Sequence, residues 1–221
     1  DGSGSVDVAV LSSSGLDLYF GSGTGAFGAP RFAAFPPPYW ALRLDAADFD
    51  GDGRTEVAAI APSRHSSSLV RWNGSGLDLV VAFSGGQNTF VTAVGDVSGD
   101  GLPDLFLGGA YPIGGALELY LGDRHLGLVG SPSLAVSSPA YRLAIADLDG
   151  NGTPDLAVDT YGRMTAFSGD GHGVFLPSTA GLSQFPIASR IPLTLDGDPG
   201  ASSFVTRRSD GAVDLWPNRC P

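Results

Sequence analysis

The sequence predicts an all-β fold of repeated four-stranded antiparallel units, a β-propeller. Three observations carry that expectation. Three stretches are near copies of one another: DFDGDGRTE (Asp48–Glu56), DVSGDGLPD (Asp96–Asp104) and DLDGNGTPD (Asp147–Asp155), with first residues 48 and 51 positions apart. Five aromatic residues recur at a similar period. The 221 residues include 33 Gly and 16 Pro, which make turns frequent and exclude helical repeats.

Aligned on the acidic loops, the chain divides into repeats at about 1–38, 39–87, 88–138, 139–185 and 186–221. The first opens DGSGSVD, a loop entered at position 3, with Asp1, Ser3, Gly4 and Asp7 at positions 3, 5, 6 and 9. The fifth carries Asp196-Gly197-Asp198-Pro199-Gly200 but has Phe204 at position 9. Tyr19, Trp72, Tyr120, Phe167 and Trp216 each fall 12 or 16 residues after position 9, and Gly21, Gly74, Gly122 and Gly169 follow four of them two residues on. Repeat four displays the unit best. Tyr141–Ala146, Asp155–Thr160, Arg163–Phe167 and Val174–Pro177 read as its four short strands, with a turn at Ser168–Gly173. Repeat one lacks a first strand and repeat five stops after its third, so the expected architecture is about 4.5 blades of a larger propeller.

Composition narrows the function. The formal net charge is −11, and no basic stripe is available for phosphates, which argues against nucleic acid and anionic membrane surfaces. Ten of the 23 acidic residues lie in the three loops, and three bound dications would bring the charge to −5. The single Cys220 excludes an internal disulfide framework and leaves pairing outside the chain open. No apolar run reaches the ~18 residues of a membrane span. No signal peptide is visible, although a mature or excised segment would have lost one.

The loop pattern D-x-[DS]-G-[DN]-G-x-x-[DE], the strand before it, the aromatic strand after it and the turn GTGAFGAP (Gly23–Pro30) resemble the FG-GAP or VCBS repeat. That repeat builds the integrin α-chain propeller and many secreted propellers. The resemblance is strongest in repeats two to four, partial in one and weak in five. It implies a propeller that is commonly seven-bladed, and a fold that hosts adhesion receptors, lectins and accessory domains of enzymes.

Oxygen side chains at positions 1, 3, 5 and 9, with Gly at 4 and 6, suit a hard cation such as calcium, which takes six to eight oxygens. Carried over from the resemblance, site two uses Asp48, Asp50, Asp52, the Arg54 carbonyl and Glu56. Site three uses Asp96, Ser98, Asp100, the Leu102 carbonyl and Asp104, and site four uses Asp147, Asp149, Asn151, the Thr153 carbonyl and Asp155. About three calcium ions are expected, with Ser98 and Asn151 weakening their sites relative to site two. The closing acid at position 9 and the strand flanks exclude an EF-hand, and the absence of Cys and His from the loops argues against zinc. The alternative is a set of Asx turns without metal. It is disfavoured because like charges packed so closely repel without a cation.

No catalytic constellation emerges. His125 and His172 share one repeat position in the turn after strand three, which points to structure. Gly23–Gly28 fits G-x-G-x-x-G but precedes Pro30 and a β-like segment instead of a helix. No G-x-S-x-G elbow occurs. Asn73 and Asn151 head glycosylation sequons, the second in competition with metal ligation. Alternating strand direction puts the metal loops on one face and longer loops (Pro36–Trp40, Pro62–Ser68, Tyr111–Gly115) on the other. Tyr39, Trp40, Arg64, His65 and Tyr111 are therefore the candidate ligand contacts, against packing between blades for Trp40 and a solvated loop for His65.

The expected function is a non-catalytic, extracellular, calcium-stabilised protein-binding or adhesion module, secreted or at the cell surface. A lectin is one alternative, and an accessory or catalytic propeller of a polysaccharide-degrading enzyme is another. The expected partners are an extracellular protein or glycan and the rest of the same polypeptide or an adjoining subunit.

Overall fold

The computed structural model describes residues 2–12, 14–35, 43–60, 67–83, 89–109, 116–125, 127–136, 139–160, 163–178, 190–193, 203–207 and 213–216. Its five antiparallel sheets follow one another along the chain. Blade one holds β1 (Val8–Leu11), β2 (Gly15–Tyr19) and β3 (Arg31–Ala34). Blade two holds β4 (Arg43–Ala47), β5 (Glu56–Ile60), β6 (Ser67–Trp72) and β7 (Leu77–Phe83). Blade three holds β8 (Thr89–Gly95), β9 (Asp104–Gly109), β10 (Ala116–Asp123) and β11 (Gly127–Ala135). Blade four holds β12 (Arg142–Ala146), β13 (Asp155–Thr160), β14 (Arg163–Gly169) and β15 (Phe175–Ser178), close to the strands predicted for it. Blade five holds β16 (Arg190–Leu193), β17 (Ser203–Arg207) and β18 (Val213–Trp216). Each sheet pairs strictly in chain order, as a meander does, and no helix occurs among the described residues.

The blades stack face to face. The first strands neighbour one another in the series β4, β8, β12 and β16, while the fourth strands do so in the series β3, β7 and β11. Among the described residues the core is accordingly three clusters, one in each gap between neighbours in blades one to four. Leu16, Ala33 and Phe35 of blade one meet Val57, Ala59 and Val70 of blade two. Phe49, Ala58, Ile60 and Leu69 of blade two meet Leu105, Leu107, Tyr120 and Leu128 of blade three. Phe106, Leu117 and Leu119 of blade three meet Leu156, Val158, Phe167 and Phe175 of blade four, with Phe106 and Phe175 edge to face at 5.3 Å.

Alternation along the second strand explains this division. In β5 the side chains of Val57 and Ala59 point to one neighbour and those of Ala58 and Ile60 to the other, so every residue of the strand is buried. Burial of each large apolar side chain contributes about 1.5–3 kcal/mol. Blade one differs on its outer face. Val8, Val10 and Phe27 are 37%, 44% and 49% exposed, whereas Leu156, Val158 and Phe175 at the corresponding places of blade four are 0%, 0% and 8% exposed.

The aromatic register requires two corrections. Tyr19, Tyr120 and Phe167 stand opposite Val8, Leu105 and Leu156, but the residue opposite Val57 in blade two is Val70, and Trp72 lies two positions further on. On its other side β6 pairs with β7 through a register shift between Leu69 and Val70. In blade five Trp216 faces Phe204, one place away from the position the repeat predicts. Ser67 and Ser68, read from the sequence as loop, are buried strand residues.

Candidate metal centres

The three complete loops join the first and second strands of blades two, three and four. Gly at positions 4 and 6 adopts positive φ in each, 71° and 86° at Gly51 and Gly53 and 75° and 85° at Gly99 and Gly101, a conformation costly for other residues. The loops are wound around their own acids. At position 1, Asp48 accepts the N–H groups of Asp52 and Gly53 at 3.0 and 2.9 Å. Asp96 accepts those of Gly99 and Gly101 at 2.7 and 2.9 Å, and Asp147 those of Gly150 and Gly152 at the same distances. At position 5, Asp52, Asp100 and Asn151 accept the N–H groups of Arg54, Leu102 and Thr153 at 2.8, 2.9 and 2.7 Å. Asp50 and Asp149 at position 3 accept the N–H groups of Asp52 and Asn151.

Position 9 does something the spacing did not reveal. Glu56, Asp104 and Asp155 are 0%, 0% and 1% exposed. Asp104 Oδ2 accepts the N–H groups of Val97 and Ser98 at 2.8 and 2.9 Å, and its Oδ1 accepts that of Gly122 at 2.8 Å. Asp155 repeats the arrangement with Leu148 at 2.8 Å and Gly169 at 3.0 Å. Asp7 accepts the N–H of Gly21 at 2.9 Å in blade one. The acid is therefore a staple between the start of the loop and the third strand. The recurring glycine has its reason here too. A Cβ at Gly21 would lie 2.1 Å from the Val6 carbonyl oxygen, and one at Gly169 would lie 2.0 Å from that of Pro154.

Blade two departs from this scheme. Glu56 Oε2 accepts the Phe49 N–H at 2.9 Å, but Trp72 stands where the other blades have the capping glycine. Glu56 Oε1 instead faces Arg71 Nε at 3.4 Å, and the Arg71 guanidinium pairs with Asp50. Trp72 packs edge to face on Phe20 at 4.8 Å, with Arg31 over its ring at 5.9 Å, and helps line a cleft of about 560 Å³ between blades one and two.

The electrostatics are those of acids brought together and dried. Burial, then the nearby Asp50 charge, pushes the Glu56 carboxyl from its ordinary 4.5 up to about 7. Burial also raises Asp104 and Asp155, against the backbone N–H groups that favour their ionised forms. Among the described residues, two groups of acids bring ligand oxygens within 4.8 Å of one another: Asp48, Asp50, Asp52 and Glu56, and Asp147, Asp149 and Asp155. The loop of blade three, with Ser98 at position 3, does not form such a group, yet the Ser98 hydroxyl is buried without a hydrogen-bond partner. A carboxylate offers about four lone-pair sites, so an acid bonded to two amides keeps acceptor capacity for an ion. The donor set, all oxygen and mostly anionic, fits a hard divalent cation. The residues that would hold it are those at positions 1, 3, 5 and 9, with the Arg54, Leu102 and Thr153 carbonyls at position 7.

Tyr39, Trp40, Arg64, His65 and Tyr111 lie outside the described residues, as do Asp1 and the loop at 196–200. His125 and His172 occupy equivalent exposed turns, each donating its N–H to Asp123 or Asp170, at 2.9 and 2.8 Å. No helix among the described residues is long and apolar enough to cross a membrane.

Comparison with known proteins gives the loops their context. Integrin alpha-7 of Homo sapiens is 30% identical over 189 residues, 71% of this chain. Integrin alpha-PS5 of Drosophila melanogaster is 26% identical over 156 residues, 58% of this chain. The match spans 16% of the length of each of these relatives. Among solved structures, an Agrocybe aegerita lectin superposes with a TM-score of 0.69 at 19% identity, covering 99% of this chain and 61% of the lectin chain. BBS1N, solved in complex with ARL6DN, superposes at 0.64 and 14% identity, covering 96% of this chain and 61% of that one. These structures share the fold. The family described as FG-GAP-like repeat matches residues 1–59, 48–107 and 96–158, each match after the first beginning at an acidic loop and ending just beyond the next. Over most of its length the chain is thus a run of such units, and it belongs to the FG-GAP-like repeat family.

Proposed function

We propose that this chain is a non-catalytic, extracellular β-propeller module whose acidic loops hold calcium and whose opposite face binds a protein partner in adhesion or a related contact. The observation that carries the reading is where the acids gather. Among the described residues, clusters of metal-ligating side chains occur only in the loops between first and second strands, where the same residues also hold the backbone. Such a site stabilises a scaffold and leaves the loops of the other face to vary. Millimolar extracellular calcium fills sites of modest affinity. The integrin alpha relatives are consistent with a partner that is another protein chain. The test is attachment of cells or candidate ectodomains to the immobilised chain in 1–2 mM calcium, roughly the concentration such sites require, and again in EGTA. Calcium-dependent attachment supports the reading. Its absence for a chain shown to be folded and loaded counts against it.

A second reading, a lectin, has its own observation. The cleft between blades one and two is edged by the partly buried Trp72, with Ser5, Asp7 and Thr55 also lining it. An aromatic face beside polar groups suits a sugar ring. The solved lectin with this fold recognises non-reducing terminal N-acetylglucosamine. Binding on a glycan array that Trp72→Ala abolishes would favour this reading over the first.

A further inference from the structure

We propose that Arg71 is a resident counter-cation that competes with a divalent ion for the blade-two loop, so that ion entry there expels the guanidinium from Asp50 and Glu56. The inference rests on the reading that the loops take up divalent ions, and it concerns what distinguishes one loop from the rest. Asp50 and Glu56 occupy positions 3 and 9, both members of the ligand set, and both face the guanidinium. A guanidinium and a dication drawn to the same two carboxylates repel each other, so each weakens the other's hold.

Three exchanges at this blade belong together. Position 9 is Glu instead of Asp, Trp72 stands in place of the capping glycine, and the strand residue before it is Arg71. In blades one, three and four the residue before that glycine is Phe20, Leu121 and Ser168, and the glycine N–H satisfies one oxygen of the acid. Glu56 Oε1 has no such hydrogen bond, and Arg71 stands beside it instead. The longer acid and the basic strand residue thus replace a backbone cap with a charge. Four carboxylates would make this the strongest of the loops by charge alone. The resident cation lowers that advantage, since the ion-competent state requires Arg71 to leave. The Arg71 side chain is 23% exposed, so the guanidinium has a route to water.

The experiment compares the unaltered chain with Arg71→Gln and Arg71→Lys. Terbium luminescence excited through tryptophan reads the loop beside Trp72, and Trp72→Phe identifies the part of the signal that belongs to it. Calcium calorimetry counts ions over all loops. In Arg71→Gln the Trp72-dependent signal should saturate at roughly tenfold lower terbium, the factor expected on removing a charge-assisted pair. Arg71→Lys, with a point charge unable to hold both acids, should fall between. The metal-free melting temperature of Arg71→Gln should shift, and calcium should restore more of it than in the unaltered chain. Unchanged or weaker terbium binding in both variants, with calorimetry still counting ions at the other loops, overturns the competition. Absence of calcium heat in every protein overturns the inference together with the reading beneath it. Should Arg71→Gln not fold, Arg71→Lys alone decides by the same signal.

Discussion

Replacing Asp104 by Asn separates the two duties that position 9 performs. The side chain keeps its shape and loses one charge and one acceptor. Its oxygen can serve either the Val97 and Ser98 N–H pair, at 2.8 and 2.9 Å, or the Gly122 N–H at 2.8 Å, but not both. Serving the pair turns the amide NH₂ toward Gly122, so two donors face each other where Asp104 is fully buried. A buried donor left unsatisfied costs about 1–3 kcal/mol, and the bonds to Val97 and Ser98 fall from charged to neutral strength. Against this, burial already disfavours the ionised carboxyl, so removing the charge returns part of the loss. The balance is about 2–3 kcal/mol of destabilisation, or roughly 4–12 °C in melting temperature for a chain of this size. The assay is urea denaturation in EDTA, with Asp100→Asn as reference. Asp100 accepts one N–H, from Leu102, at the edge of the loop, and metal-free it should lose under about 1 kcal/mol. Equal losses for the two variants without metal would refute the staple.

Three further predictions follow the same logic. An acid whose folded pKa lies above its unfolded value binds its proton more tightly in the fold, so the metal-free chain should gain stability as pH falls from about 7 toward 4.5. Glu56 contributes up to about 3 kcal/mol of this, and burial of Asp45, Asp104 and Asp155 acts with the same sign. Urea titrations in EDTA across that range test it, and a flat or opposite slope contradicts it. Gly169→Ala, whose Cβ would lie 2.0 Å from the Pro154 carbonyl oxygen, should cost at least about 1–3 kcal/mol. Gly130→Ala, 3.6 Å from the Tyr120 ring, should be within about 1 kcal/mol of neutral by the same denaturation assay. Leu156→Ala should lose about 2–5 kcal/mol from the gap between blades three and four, while Val8→Ala, at the corresponding but 37% exposed place, should lose under about 1 kcal/mol.

The blades and their order were legible because each strand lies beside a loop that the sequence marks in glycine and aspartate. Asp155–Thr160 was predicted as a strand and is one, since the acid opens it and apolar side chains alternate to both faces. The register of β6 was hidden. Trp72 has the right chemistry and spacing for the repeated aromatic, but β5 and β6 pair in a register that gives Val70 that place opposite Val57. The staple at position 9 was illegible for a different reason, since its partners are backbone N–H groups that carry no sequence signal. The glycine two residues after the aromatic was visible, while the carbonyl oxygen that forces it was not. The reach of Arg71 is illegible in the sequence because strand position alone does not say which loop a long side chain meets across 21 residues.

The most direct measurement is diffraction from crystals grown in calcium. One ion is expected in each of the loops at Asp48–Glu56, Asp96–Asp104 and Asp147–Asp155, with side-chain oxygens at about 2.3–2.6 Å. Loops with unchanged backbone that hold only water under those conditions would contradict it.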